Sequence, residues 1–287
     1  MPSLKDIRKR IGSVKNTQQI TKAMKMVAAA RLRKAQEGIE TLRPYSYRLK
    51  DVIAELAYRS DFSDHPLLEQ REPKNIEILV LTSDRGLCGG FNANINRATS
   101  RYIQENEKGH ENIVLDIVGR KGNEYFKRRE TPIKNYFEDV VANVNLENAS
   151  TIAEKVMGDF LEGELDAVYV VYNEFKSAIT QEIVVEQLLP IVPASYDDDA
   201  NATDFIYEPS KEAVMDAVLP RHLTVQIYRM LLESLASEMG ARMSAMDSAT
   251  SNAGELIDRL TLQYNRARQA NITAELMEII SGAEAIS

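Results

Sequence analysis

Leu4-Lys5-Asp6-Ile7-Arg8-Lys9-Arg10-Ile11-Gly12-Ser13-Val14 sets an apolar residue at every third or fourth place. The same alternating step continues through Gln18, Thr21, Lys25, Ala28, Leu32, Ala35, Ile39, Leu42, Ser46, Leu49, Ile53 and Leu56. Twelve of these sixteen positions are apolar, which is the narrow stripe of a helix paired with another helix rather than the wider stripe of one lying on a globular core. The far end of the chain answers with Leu235, Met239, Arg242, Met246, Ala249, Ala253, Leu256, Leu260, Gln263, Ala267, Ala270, Ala274 and Met277. At 1.5 Å per residue, helices of roughly 50 and 70 residues reach about 80 and 100 Å, far beyond the span of a compact body of this size. The two stretches are expected to pair antiparallel and to serve something outside the chain.

Between them the pattern changes. Ile76 to Leu81 reads as a buried strand, followed by a glycine-rich turn and a helix from Asn92 to Glu107. Ile113 to Val118 is a second strand, Lys121 to Arg129 and Thr151 to Leu161 are helices, Ala167 to Tyr172 is a strand, and Ile179 to Leu189 is a further strand at an edge. Strands alternating with helices imply a mainly parallel sheet. The expected fold class is α/β: a long antiparallel two-helix coiled coil plus a central doubly wound, Rossmann-like domain. The expected segments are 1–59, 74–195 and 208–287. Ser3 is the expected N-cap of the first helix. The last helix should open near Ser210, and the acidic 195–204 stretch should be an exposed connection. Pro44 is a candidate kink, and Pro220 a candidate break that splits off a first short helix.

Composition narrows the function. The 287 residues are 44% hydrophobic and 27% charged, as in ordinary soluble proteins. No run approaches the eighteen apolar residues of a spanning helix, and Met1 to Asp6 begins a charged helix rather than a signal peptide. A single cysteine, Cys88, excludes an internal disulfide and a thiolate cage, and His65, His110 and His222 lack ligand spacing, so no metal site is expected. The net charge of −8 is uneven. Residues 1–50 carry thirteen Lys or Arg against Asp6, Glu37 and Glu40, leaving +10 there and −18 elsewhere. Arg8, Lys9, Arg10, Lys15, Lys22, Lys25, Arg31, Arg33 and Lys34 lie in a stretch without an acid. That run is a solvated face or a docking surface. The acidic remainder and the lack of aromatics before Tyr45 favour an acidic protein over nucleic acid.

Ser83-Asp84-Arg85-Gly86-Leu87-Cys88-Gly89-Gly90-Phe91-Asn92 sits where a doubly wound domain carries a phosphate loop. It matches neither G-x-G-x-x-G nor the P-loop, so it reads as a packed turn, with Cys88 a small buried residue. No paired carboxylates stand out as acid and base, and neither a catalytic residue nor a cofactor is expected. A Rossmann-type nucleotide-binding enzyme with a coiled-coil arm remains the alternative. On the first seam Gln18, Thr21 and Lys25 are polar, which specifies register. The second seam is rich in alanine, and Tyr264 is the only aromatic after Arg229. Such a surface suits serial contacts rather than one anchored interface.

Several long motifs together resemble the gamma subunit of the F-type ATP synthase. They are Lys5 to Ile11, Asn16-Thr17-Gln18-Gln19-Ile20-Thr21-Lys22-Ala23-Met24-Lys25-Met26-Val27-Ala28, the Ser83 to Asn92 turn, and Ala267 to Ala283. The resemblance covers essentially the whole chain. It implies a non-catalytic central shaft inside a ring of alpha and beta subunits, coupling proton-driven c-ring rotation to ATP synthesis, with hydrolysis driving the reverse. Met24, Lys25, Arg31, Arg33, Arg242, Gln269 and Thr273 match the part facing beta. Tyr207 and Glu208 match the foot near the c-ring and epsilon. A regulatory cysteine-bearing insertion has no counterpart here. The start at Met1 without a transit-like segment implies a bacterial form, peripheral on the cytoplasmic face of the plasma membrane.

Overall fold

The computed structural model describes residues 3–58, 65–178, 180–192, 208 and 210–284. Among the described residues five α-helices frame five strands. They are α1 (Leu4–Tyr58), α2 (Phe91–Asn106), α3 (Arg120–Phe126), α4 (Leu146–Leu161) and α5 (Lys211–Glu284), with β1 (Asn75–Leu81), β2 (Asn112–Val118), β3 (Ile133–Phe137), β4 (Ala167–Phe175) and β5 (Gln181–Leu189). The chain divides into two compact units, one of Met1–Ala28 with Met243–Ser287 and the other of Ala29–Arg242. The long helices α1 and α5 contribute to both.

The larger unit is built on a sheet ordered β3-β2-β1-β4-β5. β1 runs parallel to β2 and β4, β2 parallel to β3, and β5 antiparallel to β4. β1 is a nearly continuous apolar run because both of its faces are covered. Ile76, Ile78 and Val80 join Leu115 and Ile117 against Phe91 and Ile95 of α2 and Phe126 of α3. Leu79, Leu81, Val118, Val168 and Val170 face the other way, onto Ile152, Val156 and Phe160 of α4 and the apolar stripes of α1 and α5. Each such side chain contributes roughly 1.5–3 kcal/mol on burial, so the sheet and its two layers dominate this unit.

At the carboxyl ends of β1 and β2 the backbone closes tightly. Thr82 Oγ1 donates to Val118 O at 2.9 Å and accepts from Gly122 N at 2.8 Å. Gly119 has φ +91°, and a Cβ there would stand 2.2 Å from Thr82 O. Only glycine combines that dihedral with that approach.

Several sequence expectations need correction. β3 was absent from them, because Ile133–Phe137 is short, mixed in polarity and only half-buried. α4 starts at Leu146, not Thr151: the side chain of Asn145 caps it, accepting from Asn148 N at 2.8 Å. Pro220 does not split α5, which runs from Lys211 without a break. Met215, Leu219, Leu223 and Ile227 on both sides of the proline belong to one apolar core, and their burial holds the helix through the missing hydrogen bond. α1 likewise continues through Pro44. Ser3 accepts from Asp6 N at 3.2 Å, as expected of its N-cap. The acidic 195–204 stretch lies outside the described residues.

Every position of the α1 seam from Leu4 to Leu56 is buried or half-buried. In the smaller unit Ile7, Thr21 and Ala28 of α1 and Met246, Ala253 and Leu260 of α5 are the buried positions. The three polar seam residues find partners on α5. Thr21 Oγ1 lies 2.7 Å from Thr250 Oγ1, Gln18 Nε2 donates to Thr250 O at 3.4 Å, and Lys25 pairs with Asp247 at 2.5 Å. Sliding one helix along the other would strand these groups, so they fix register at little net gain. On α5 the expected seam ends early. Gln263, Ala270, Ala274 and Met277 are exposed, and so is every residue from Arg268 to Ser281.

Candidate partner-binding surfaces

The residues singled out in the sequence fall into three chemically different settings. In the first, Arg242 is buried in the larger unit. Its guanidinium pairs with Glu238 at 2.6 Å and donates to Arg85 O at 3.2 Å and Gly86 O at 3.1 Å. Arg242 therefore fastens α5 to the Ser83 to Asn92 turn. Within the turn Asn92 Oδ1 accepts from Ser83 N at 3.0 Å, and Asn92 Nδ2 donates to Ser83 Oγ at 2.8 Å and Cys88 Sγ at 3.2 Å. Leu87, at φ +64°, and Gly89, at φ +56°, turn the chain back, and the Leu87 side chain points to solvent. Burial pushes the Cys88 thiol up from its ordinary value, against the pull of Arg242, so it stays protonated and inert. A phosphate cradle needs converging N–H donors and a cation free to meet the ligand. Here the guanidinium of Arg242 is spent on the turn's own carbonyls.

The second setting is solvent-exposed. Arg31, Arg33 and Lys34 project outward from α1. Arg33 reaches Glu37, the first acid beyond the acid-free stretch, which accepts from it at 3.0 Å. At 83% and 62% side-chain exposure the pair is weak and easily exchanged for a partner's carboxylate. In the smaller unit Met24 and Lys25 are half-buried, Lys25 on the seam and Met24 next to it.

The third setting is the last part of α5. Gln269 and Thr273 are exposed one turn apart, the Thr273 hydroxyl donating to Gln269 O at 3.0 Å. Around them Ile272, Leu276, Met277, Ile279 and Ile280 are each about half exposed or more. On α1 the same unit exposes Ile20, Met26 and Val27. Of these apolar residues only Met277 keeps the three-four repeat; the others are out of step with it, which is the signal the sequence carries for them. An apolar helix surface of this extent marks an interaction site. Of the pair expected near the c-ring and epsilon, Glu208 is exposed, and Tyr207 lies outside the described residues.

A partly buried ion network has no signal in the local sequence. Arg229 on α5 donates to both carboxylate oxygens of Glu186 on β5 at 3.0 Å, to Glu233 at 3.1 Å and to the Tyr172 hydroxyl at 3.3 Å. Nothing local in the sequence pairs residues 43 positions apart. Among the described residues no group of His, Cys, Asp and Glu is arranged to hold a metal, and no helix is long and apolar enough to cross a membrane.

The family profile described as ATP synthase matches residues 3–286. The ATP synthase gamma chain of Anaeromyxobacter sp. (strain Fw109-5) is 55% identical over 289 residues, covering all of both chains. The chain belongs to the ATP synthase gamma chain family. Another member, from Geobacter sp. (strain M21), is 51% identical and covers all of this chain and 99% of its own. Solved structures carry the same fold. A chain of the Tetrahymena thermophila mitochondrial ATP synthase central stalk and c-ring matches with TM-score 0.61 and 26% identity, over 80% of this chain and 99% of its own. A chain of the Euglena gracilis mitochondrial ATP synthase matches with TM-score 0.66 over 99% of this chain and 94% of its own, at 22% identity.

Proposed function

We propose that this chain is the central rotor of a proton-translocating ATP synthase, itself non-catalytic, turning inside a ring of alpha and beta subunits. The observation that carries the reading is full-length identity above 50% to bacterial ATP synthase gamma chains. An α5 tail whose residues are exposed on every side from Arg268 to Ser281 supports it. In this reading α1 and α5 form an antiparallel two-helix coiled coil, and the central domain is a doubly wound, Rossmann-like body. The three-four burial rhythm of α1 and the β3-β2-β1-β4-β5 order support those finer descriptions.

Met24, Lys25, Arg31, Arg33, Gln269 and Thr273 meet the beta subunits, with the cations answering acidic segments. Arg242 acts on that surface through the turn it fastens. Tyr207 and Glu208 meet the c-ring and epsilon. The complex sits on the cytoplasmic face of a bacterial plasma membrane, and the chain is peripheral to it through these partners. The clamped carbonyls of the Gly86 turn argue against a nucleotide-binding enzyme.

Membranes from a strain lacking the chain should lose ATP-driven proton pumping and recover it when the full chain is restored; recovery without it would refute the reading. Replacing Arg31, Arg33 and Lys34 by alanine should lower protons pumped per ATP in a graded, salt-dependent way, since each exposed contact is worth about 0–1 kcal/mol.

A further inference from the structure

The α4 face of the sheet holds charged side chains among apolar ones. Glu77 on β1 is completely buried, and neither of its carboxyl oxygens has a hydrogen-bond partner among the described residues. Asp116 on β2, also fully buried, stands on the same face: Glu77 is opposite Val114 and Leu79 opposite Asp116, so the two acids are diagonal neighbours. Asp116 is satisfied from β3, accepting from Asn135 N at 3.0 Å and Asn135 Nδ2 at 2.9 Å.

The register of β3 slips between Leu115 and Asp116, with Ile133 and Asn135 opposite these two residues, so Lys134 is the extra residue of a bulge. Bulges re-aim side chains. Lys134 is turned onto this face, where it pairs with Asp159 of α4 at 2.9 Å and with Glu164 at 2.8 Å. Lys155 of α4 pairs with the other Asp159 oxygen at 3.0 Å. Thus β2 presents an acid to Glu77, β3 a lysine, and α4 an acid and a lysine. From β4, the residue opposite Glu77 is the apolar Val168.

The lysines are committed to Asp159 and Glu164, which leaves Glu77 with no cation of its own among the described residues. A bare carboxylate at this depth, next to a second carboxylate, is far more costly than a neutral acid. We propose that Glu77 is a buried, protonated acid and that it acts as a proton-linked latch: loss of its proton to solvent loosens β3 and α4 from the β1–β2 face.

Burial first, then Asp116 and Asp159, raise Glu77 to about 8, against an ordinary 4.5. Burial raises Asp116 to about 6 despite its bonds from Asn135. For a raised carboxyl the stabilisation is fully present below 4.5. It is lost as pH rises from there through about 8, because the native state holds a proton that the unfolded state has released.

The test is denaturant unfolding of the full chain at a series of pH values, wild type against Glu77→Gln. Glutamine keeps the shape and cannot ionise. The Gln-to-wild-type ratio of folding equilibrium constants should climb from pH 5 to pH 8 by up to about tenfold per pH unit and then level off. A ratio independent of pH over that range would overturn the proposal.

If Glu77→Gln does not fold, infrared spectra of the wild-type chain with side-chain-labelled glutamate decide the matter. A glutamic acid C=O band should persist at pH 7 and disappear on titration with a midpoint near 8, and Lys134→Met should move that midpoint upward. Absence of the band at pH 7, or a midpoint that ignores Lys134→Met, would equally overturn it.

Discussion

Two stretches of one helix, α5, obey different rules. From His222 to Gly240 nearly every residue is buried, including Glu233, Ser237 and Glu238. From Arg268 to Ser281 every residue is exposed, including Ile272, Ile279 and Ile280. Composition does not separate them, since the buried stretch is polar in places and the exposed one apolar in places. The first stretch is fixed by a sheet and a second helix around it, so its polar groups must find partners within the chain. In the second stretch no core among the described residues requires the helix. Its apolar residues are meaningful only to a partner.

The contrast should appear first in charge. Arg242→Ala would leave Glu238 buried without its cation and free the Arg85 and Gly86 carbonyls, costing about 3–5 kcal/mol, as for a buried ion pair broken on one side. Arg33→Ala removes an exposed pair and should cost about 0–1 kcal/mol. Denaturant unfolding of the two variants measures the gap; similar losses would mean that Arg242 is not the clamp described.

Apolar truncation comes next. Leu223→Ala, at a fully buried position, should cost about 2–5 kcal/mol. Ile279→Ala, at 68% exposure, should change stability by no more than about 0.5 kcal/mol while weakening binding to the isolated catalytic head. A large stability loss at Ile279 would show that the tail has a partner within the chain.

The smallest effect is a change of sign between two glycines. A Cβ at Gly240 would lie 2.9 Å from the backbone oxygen of Ala178, whereas at Gly254 it would meet only the end of the Gln18 side chain at 3.2 Å. Gly240→Ala should cost about 1–3 kcal/mol through overpacking. Gly254→Ala should stabilise by up to about 1 kcal/mol through helix propensity. Thermal melts of the two variants should therefore move in opposite directions.

Much of this was legible because it is periodic. The α1 seam follows from a three-four repeat, and β1 from six consecutive residues with both faces covered. What was missed depends on residues distant in sequence. Lys134 makes sense only once Asp159 and Glu164 stand beside it, and Asn135 only beside Asp116, so β3 left little local signal. Arg242 fell in step with the α5 seam, but its acceptors lie 156 and 157 residues away. Pro220 reads as a break in sequence because local propensity cannot register the core on both sides of it. The exposed tail kept a seam-like spacing at Ala270, Ala274 and Met277, so spacing alone did not show where pairing stops.

The central claim is that the chain turns within its partners, and a covalent tether tests it most directly. In the assembled complex, with Cys88→Ser to keep the link unique, Arg33→Cys would be joined by a disulfide to a cysteine on the facing beta subunit. A bond of about 2 Å cannot follow a rotating neighbour. Steady-state ATP hydrolysis should fall in proportion to the crosslink formed and return on reduction. Full hydrolysis with the crosslink quantitatively in place would contradict rotation of the shaft.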